Sequence, residues 1–286
     1  MVAERMEMQI QSGYDYHKST RDNYALSGDG QEENFVGEFA DIRRKTDSRW
    51  HGNYPIERQV LQDALVRDVL GLDSTSSRTT DDSRNPWIIF TGGAMGAGKG
   101  YTMNWMRNRN IIPIANLRHI DPDVFKRRLP EWKHYVRNNP TTAGSFTHLE
   151  SSLLVEIAQE AALQRNMNIW VDGSLSNDEW TLFQLNRIRR IFPQYHIAVV
   201  HVSASERTVM QRCERRAKST GRVVPADKIG QSLHASRRTI DRLSPPLVDV
   251  VVQIRNEASS PELVSINTMP VESDAWGVLR NFFISE

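Results

Sequence analysis

The pattern of apolar and polar positions changes near residue 86. Before that point, residues 1–45 are polar and lack a sustained period, which predicts a flexible or loosely docked arm. Residues 56–71 place apolar side chains at helical spacing, and Gly71 is a suitable helix stop. The polar run 73–85 predicts a linker. We therefore expect an arm at 1–45, a helix with a linker at 46–85 and a folded domain at 86–286.

Beyond residue 86, short apolar runs alternate with helical stretches. The apolar runs predict strands at Trp87–Phe90, Leu117–Ile120, Ile169–Val171, Ile197–Val202, Val248–Ile254 and Leu263–Ile266. Helices are predicted near 98–108, 148–165, 178–191, 205–218, 226–243 and 273–284. This alternation is typical of an α/β fold in which a mostly parallel sheet is flanked by helices on both faces.

The most specific motif joins the first predicted strand of this domain to its first helix. Gly93 to Lys99 matches G-x-x-x-x-G-K, the Walker A pattern of nucleotide-binding phosphate loops. Glycines let backbone N–H groups curl around phosphate oxygens, and the lysine adds a point charge. A glycine-rich turn is the alternative, but the lysine in register after an apolar strand argues against it. The predicted nucleotide-binding residues are Gly93, Ala94, Met95, Gly96, Ala97, Gly98, Lys99, Gly100 and Tyr101.

Gly100 departs from this pattern, because Ser or Thr usually follows the lysine and holds Mg²⁺ through its hydroxyl. The metal would then rely more on water, nucleotide oxygens and carboxylates, with Thr102 a weak substitute. Asp172, which ends an apolar strand, is the predicted metal ligand. A strand-ending Asp-Gly turn is the alternative interpretation.

Two acids follow the second predicted strand, and four polar residues lie around the start of the helix predicted from 148. Parallel sheets bind ligands at the carboxyl ends of strands, so Asp121 and Asp123 could both reach the cleft beside the phosphate loop. If the bound nucleotide donates its phosphate to a hydroxyl, Asp123 is the candidate base that takes the proton of that acceptor hydroxyl. Helix capping is the alternative for Asp123. Thr147 and His148 open the helix predicted near 148–165, which also carries Glu150 and Glu156. Thr147 with Glu150 also fits a capping box, and His148 also suits a surface position.

Segment 207–222 is rich in arginine and follows the fourth predicted strand. Arg212, Arg215 and Arg216 fall on one face of the predicted helix. Arginines here could clamp a transferring phosphate and neutralise its charge. A solvated basic helix face is the alternative.

Composition narrows the function classes. The chain has 286 residues, a net charge of +1 and one cysteine, Cys213. The charge does not favour nucleic acid as a partner without a local basic patch, although it leaves this open. A single cysteine permits no internal disulfide framework, and no apolar run has the length of a membrane span, so we expect a cytoplasmic protein. Export by a route without a recognisable signal remains an alternative.

The motifs together resemble the zeta-toxin family of P-loop kinases, in the family's order and over about residues 87–240. The matching segments are 93–99, 120–126, 147–156, 172–174 and 222–225. The resemblance implies that Lys99 is the Walker lysine and Asp123 the catalytic acid. It implies phosphate contacts near Arg216 and at Arg222, and a substrate-binding acid at Glu156, with Glu150 as the competitor. The matched segments add Asp121, Thr147 and His148 to the candidate substrate ligands. Departures are Gly100 and Ser176, which stands where the family often has arginine.

The resemblance implies transfer from ATP or GTP, with Mg²⁺, to a sugar hydroxyl of a nucleotide-linked small molecule such as UDP-N-acetylglucosamine or NAD. Two other functions stay open: a kinase for the 5′-hydroxyl of a polynucleotide, and a nucleotide-binding interaction module without catalysis. An inhibitor protein is an expected partner of a toxin-like kinase. The N-terminal arm is a second candidate element for binding a partner.

Overall fold

The computed structural model describes residues 10–24, 34–73, 85–221, 223–258, 260–267, 269–270 and 274–284. The chain folds as two compact units, each made of segments that are distant in sequence. The first unit comprises Met1–Ser77, Ile120–Ala162 and Thr220–Val223. The second unit comprises Arg78–His119, Leu163–Ser219 and Val224–Glu286.

The second unit is built on a sheet, in which the described residues supply seven strands in the order β2-β3-β1-β4-β5-β6-β7. The strands are β1 (Trp87–Gly92), β2 (Arg118–Ile120), β3 (Ile169–Asp172), β4 (His196–Ser203), β5 (Val250–Arg255), β6 (Glu262–Ile266) and β7 (Met269–Pro270). β1 pairs in parallel with β3 and β4, and β4 pairs in parallel with β5. The last two strands add antiparallel pairs at one edge. The mostly parallel sheet predicted from the sequence is therefore confirmed.

The central strands are apolar because both faces of the sheet are covered. Every residue of β1 is buried, and so are the six inner residues of β4. Ile89, Trp170 and Val252 belong to one apolar core on this sheet. Strands buried on both faces read as continuous apolar runs, which explains why the sequence located them. The two-residue strand β7 is too short to leave such a run, and it was not predicted.

Long helices of the second unit agree with the predicted ones. They are α5 (Lys99–Asn108), α10 (Asp178–Ile191), α11 (Glu206–Thr220), α12 (Ala226–Asp241) and α13 (Ala275–Phe282). α10 begins after Asn177, whose side chain accepts a hydrogen bond from the Trp180 backbone N–H. An Asn at this position satisfies one of the free N–H groups of the first turn.

The first unit is helical. Its helices are α1 (Thr20–Tyr24), α2 (Ala40–Arg43), α3 (Ser48–His51), α4 (Ile56–Leu70), α6 (Pro122–Arg128), α7 (Trp132–Asn138), α8 (Ala143–Phe146) and α9 (His148–Leu163). The sequence predicts α4 and α9, and α4 ends as expected at Gly71, whose φ is 68°. The shorter helices span two turns or fewer, which is too short to display a 3.6-residue period. Among the described residues, no helix combines the length and apolar character that crossing a membrane requires.

Tyrosines of the N-terminal segment pack within the first unit. The hydroxyls of Tyr14 and Tyr135 are hydrogen-bonded at 2.5 Å, and the Tyr24 hydroxyl donates to Glu131 at 2.6 Å. The guanidinium of Arg58 lies 4.1 Å from the centre of the Tyr24 ring. These contacts tie residues 10–24 to α4 and to the start of α7. The proposed boundaries at residues 45 and 85 remain predictions, and residues 74–84 of the linker lie outside the described part of the chain.

Candidate active site

The phosphate loop connects β1 to α5 in the second unit. Gly93, Gly96 and Gly98 have φ values of 128°, 89° and 92°, a region that L side chains rarely adopt. A Cβ at Gly93 would collide with the carbonyl oxygen of Val202, and a Cβ at Gly98 with the side-chain amide of Asn256. Dihedral angles and close approach therefore both require glycine here. A loop of this kind that leads into a helix N-terminus is suited to bind phosphate through its backbone N–H groups.

Lys99 opens α5, and its ammonium group lies against the loop. Its Nζ donates to the carbonyl oxygen of Gly93 at 3.1 Å and approaches that of Ala94 at 3.5 Å. The N-cap residue of α5 is Gly98, which has no side chain to satisfy the first N–H groups of the helix. A helix N-terminus without a side-chain cap, next to a lysine, is a favourable position for an anionic ligand.

Side chains from α11 and from the end of β5 anchor the loop. The carbonyl oxygen of Ala97 accepts hydrogen bonds from Arg212 Nη1 at 3.1 Å and from Asn256 Nδ2 at 2.9 Å. The thiol of Cys213 donates to the carbonyl oxygen of Met95 at 3.4 Å. Because these partners hold the loop from outside, its conformation is set by the fold as well as by its glycines.

Two of these anchors were not recognised as functional residues from the sequence. Asn256 directly follows the apolar run of β5, the kind of position where parallel sheets place functional groups, and that position was the available signal. Cys213 gave no signal beyond being the one cysteine. Arg212 was singled out for a phosphate clamp, whereas its Nη1 contacts the loop backbone.

His201, which lies on β4, is a buried titratable group in the second unit. Burial lowers the pKa of His201 to about 4, and the positive charges of Arg237 and Lys99 act in the same direction. Asp241 opposes them, and His201 Nε2 lies 3.4 Å from the Ser236 hydroxyl. The imidazole is therefore neutral in the folded protein near pH 7.

The first turn of α5 departs from the usual metal-binding arrangement. Gly100 offers no hydroxyl, and a Cβ built there meets no atom within 4 Å. Thr102, the suggested substitute, is fully buried. A hydroxyl buried in the core cannot reach a hydrated ion, so this suggestion is wrong. Tyr101 is half-exposed on the same turn.

Asp172 ends β3 and pairs in register with Thr91 of β1. Its Oδ1 accepts a hydrogen bond from the Thr91 hydroxyl at 2.7 Å, and that hydroxyl accepts one from Trp170 Nε1 at 3.2 Å. The His119 ring stacks on Trp170 with a centroid distance of 3.6 Å. His119 and Asp172 offer ligand atoms within 4.8 Å of each other. Asp172 is only partly buried, so its oriented carboxylate fits a magnesium ligand, direct or through water.

In the first unit, Asp121 and Asp123 lie at the start of α6 and differ in role. Asp121 is the N-cap, and its Oδ1 accepts from the Asp123 backbone N–H at 2.7 Å. Asp121 Oδ2 also lies 3.8 Å from Arg127 Nη2. Asp123 is in the first turn and lies 3.4 Å from Lys126 Nζ. The capping alternative therefore describes Asp121, while the carboxylate of Asp123 is not used as a cap.

The residues at the start of α9 divide by burial. Thr147 is fully buried, and its hydroxyl donates to the Ala143 carbonyl at 2.9 Å, so it does not form the capping box. His148 is exposed, with its Nδ1 3.4 Å from the Ser152 hydroxyl. Glu156 keeps 24% of its side chain exposed and lies 2.9 Å from His51 Nε2. Glu156 is therefore the acid of this group whose side chain is partly exposed and also has an ordered partner.

Glu150 belongs to a buried ionic cluster and not to an open site. Arg58 donates to Glu150 at 2.7 and 2.9 Å and to Glu131 at 3.0 and 3.1 Å. Gln62 adds a hydrogen bond to Glu150 at 3.0 Å. Burial alone would raise the pKa of Glu150, but the Arg58 guanidinium and the hydrogen bonds from Gln62 and Thr20 together outweigh burial and lower it. The side chain of Glu150 is fully enclosed in this cluster. Its assignment as a substrate ligand stays a prediction.

Arg216 and Arg222 are the two arginines predicted to contact the transferring phosphate. Arg216 is exposed on α11, and its backbone carbonyl accepts from the Ser219 hydroxyl at 3.0 Å. Arg222 lies outside the described residues. The assignment of both to phosphate binding remains a prediction.

Comparisons with known proteins agree with this geometry. The sequence matches the family model described as Zeta toxin over residues 72–268. A search among curated proteins found no match. The fold is similar to a structure from the PezAT chromosomal toxin-antitoxin system of Streptococcus pneumoniae, at 17% identity over 78% of this chain and 89% of that chain, with a TM-score of 0.55.

Two structures of the AvrRxo1-ORF1:AvrRxo1-ORF2 complex are also similar. The structure with sulphate ions has 17% identity over 93% of this chain and 82% of that chain, with a TM-score of 0.62. The structure with ATP has 16% identity over 92% of this chain and 82% of that chain, with a TM-score of 0.62. At these identities the likeness concerns the fold.

The parallel sheet, the glycine loop and Lys99 define a P-loop kinase core. The family match extends over residues 72–268, well over half of the chain. The chain belongs to the zeta toxin family, and it is a kinase.

Proposed function

We propose that this kinase transfers the γ-phosphate of ATP or GTP to a sugar hydroxyl of a nucleotide-linked metabolite. The observation that carries the proposal is the phosphate loop, in which three glycines with positive φ lead directly into Lys99 at the start of α5. The acceptor class rests on the family resemblance, because UDP-N-acetylglucosamine and NAD are both sugars linked to a nucleotide diphosphate.

In this proposal the second unit binds the nucleotide. Backbone N–H groups of residues 93–99 hold the phosphates, and Lys99 exchanges its loop carbonyls for phosphate oxygens. Asp172, oriented by Thr91, holds Mg²⁺ directly or through water. When bound, the ion would neutralise charge on the β- and γ-phosphate oxygens.

Asp123 is the proposed general base. Its carboxylate takes the proton of the acceptor hydroxyl as that oxygen forms a bond to the γ-phosphorus. The bond between the γ-phosphorus and the β–γ bridging oxygen breaks, which releases the nucleoside diphosphate. The position of Asp123 in the first turn of α6, with Asp121 serving as the cap, supports this role.

Fewer residues are proposed to bind the acceptor than were predicted from the sequence. Glu156 is the proposed acceptor ligand, and the exposed His148 and the partly exposed Asp121 are kept as further candidates for the same role. Thr147 and Glu150 are left out of the proposal, because both are fully buried. Arg216 and Arg222 are proposed to neutralise charge on the transferring phosphate.

The test is γ-phosphate transfer from labelled ATP and from labelled GTP, with Mg²⁺, to UDP-N-acetylglucosamine, NAD and a 5′-hydroxyl oligonucleotide. Wild type is compared with Lys99→Met and Asp123→Asn. We expect product on a nucleotide-linked sugar, with kcat lowered about 10²–10³-fold by Lys99→Met and about 10²–10⁴-fold by Asp123→Asn. Asp41→Asn is the matched control, because the Asp41 side chain is 84% exposed; its activity should equal that of wild type.

Each outcome separates the candidate functions. Product on the oligonucleotide alone would replace the proposal with a polynucleotide kinase. Nucleotide binding without transfer to any acceptor would leave the acceptor class unsupported and favour the non-catalytic module. Transfer that survives Asp123→Asn would move the base to another residue, with Asp121 tested next.

The proposal includes a protein partner that restrains the kinase. Its support is that similar structures come from a toxin-antitoxin system and from the complex of AvrRxo1-ORF1 with AvrRxo1-ORF2. Such a partner would be identified as a protein whose addition abolishes the transfer measured above.

A further inference from the structure

Glu156 has a partner that precedes the family domain. His51, the last residue of α3, lies in the N-terminal segment, whereas the family match begins at residue 72. Its Nε2 is 2.9 Å from Glu156 Oε1, and its Nδ1 is 3.2 Å from the Leu149 carbonyl oxygen. The His51 side chain is 2% exposed, so the pair is shielded from water on the histidine side.

The hydrogen-bonding chemistry couples His51 to the charge on Glu156. Both ring nitrogens face oxygen atoms, and a neutral imidazole has one N–H to donate. With the hydrogen on Nε2, the ring donates to the Glu156 carboxylate. A hydrogen bond to a carboxylate is charge-assisted, so it is stronger than a bond between two neutral groups and restricts the carboxylate to one orientation.

The backbone around His51 holds the ring in place. Asp47 caps α3 by accepting from the backbone N–H groups of Arg49 at 3.0 Å and Trp50 at 3.2 Å. The Tyr54 hydroxyl donates to the His51 carbonyl oxygen at 3.2 Å. With both ends of this short helix fixed, the imidazole has little freedom to leave Glu156.

We propose that His51 is a positioning residue for the acceptor, acting by orienting the carboxylate of Glu156. The inference rests on the proposed function, in which Glu156 binds the hydroxyls of the acceptor sugar. Glu156 is suited to this because its side chain stays 24% exposed, unlike the fully enclosed Glu150. One carboxylate oxygen is held by His51, which leaves the group oriented to accept from a ligand. The N-terminal segment thus contributes to acceptor binding through a residue outside the family domain.

The experiment uses two substitutions, each of which keeps the contact made by one of the two ring nitrogens and removes the other. The amide nitrogen of His51→Asn matches the position of Nδ1, so this variant keeps the contact with Leu149 and loses the one with Glu156. The amide nitrogen of His51→Gln matches Nε2, so this variant keeps a donor for Glu156. Initial rates are measured with the full chain, varying ATP and then the acceptor that wild type phosphorylates.

We expect His51→Asn to raise the KM for the acceptor about tenfold, the scale of one hydrogen bond to a charged group. The KM for ATP and kcat should change less than about threefold. His51→Gln should recover most of the acceptor affinity. Glu156→Gln should raise the acceptor KM by a similar factor, and His51→Asn should then add little in the Glu156→Gln background.

A purely structural role predicts something different. It would lower the melting temperature in both His51 variants and leave the acceptor KM of the folded protein unchanged, which would overturn the inference. If His51→Asn does not fold, His51→Gln and Glu156→Gln decide. An unchanged acceptor KM in Glu156→Gln overturns the inference, and a raised acceptor KM in Glu156→Gln together with a near-wild-type KM in His51→Gln supports it. Absence of transfer by wild type would instead remove the proposed function itself.

Discussion

The two compact units bury their ionisable groups differently. In the first unit, the buried Arg58 forms ion pairs with two buried carboxylates, Glu131 and Glu150. In the second unit, His201 is buried as a neutral ring, and its pKa is lowered to about 4. The first arrangement needs partners from distant segments of the chain, while the second results mainly from burial of the ring.

This difference matters for the candidate site residues. In the second unit, the phosphate loop is formed by a continuous stretch of sequence whose glycines permit its conformation. Side chains such as Asn256 then hold that conformation by hydrogen bonds to the loop backbone. In the first unit, Glu156 and the helix that carries it depend on side chains more than 90 residues away along the chain. The first unit should therefore be more sensitive to single substitutions far from the chemistry.

The largest effect is expected when the buried cluster loses its cation. Arg58→Met leaves Glu131 and Glu150 buried without their guanidinium, and it should lower the free energy of unfolding by about 3–5 kcal/mol. Urea denaturation followed by circular dichroism measures this. Arg44→Met is the matched control, because Arg44 pairs with Asp41 on the surface, and it should cost less than about 1 kcal/mol. Equal losses in both variants would contradict the difference between buried and exposed pairs.

An intermediate effect is expected from His201 as pH falls. The unfolded chain binds a proton at the usual pKa of 6.5, whereas the folded protein resists protonation down to about 4. Stability due to neutral His201 is thus complete above pH 6.5 and is lost as pH falls toward 4. The loss should be about 2 kcal/mol between pH 7 and pH 5, and about 3 kcal/mol by pH 4.

The measurement compares unfolding free energies of wild type and His201→Gln across this range. Carboxylates titrate in both proteins, so the difference between the two curves isolates the histidine. The difference in unfolding free energy between wild type and His201→Gln should shrink as pH falls, because only wild type takes up a proton at residue 201 when it unfolds. A difference that stays constant from pH 7 to pH 5 would mean that His201 is not buried as a neutral ring.

The smallest effect is expected within the phosphate loop. Gly100→Ser places a hydroxyl where a Cβ meets no atom within 4 Å, so it supplies the oxygen that phosphate loops usually give Mg²⁺. The Mg²⁺ concentration for half-maximal transfer should fall about fivefold, on the scale of one added polar contact of about 1 kcal/mol. Gly100→Ala, which adds a Cβ without oxygen, is the control. If Gly100→Ser and Gly100→Ala lower this Mg²⁺ concentration equally, the cause would be the changed helix backbone and not a metal contact of the hydroxyl.

The sequence identified features whose causes are local. The strands were found because burial on both faces makes apolar runs, and the loop was found because phosphate binding needs glycines and lysine at fixed spacing. Partners that meet through folding were not found: His51 and Glu156 are separated by 105 residues, and Ala97 and Asn256 by 159. Nothing in the local pattern around Glu150 distinguishes a ligand from an ion buried against Arg58. That distinction depends on three-dimensional packing.

The Arg58 cluster also bears on where this protein can be divided. The family match begins at residue 72, after Arg58 and His51. A fragment cut there would keep Glu131 and Glu150 in positions meant for burial, yet lose the cation that makes their burial tolerable. We therefore expect a fragment that begins at residue 72 to be less stable than the full chain. For protein engineering, fusions and domain exchanges should carry the residues before 72 along with the kinase.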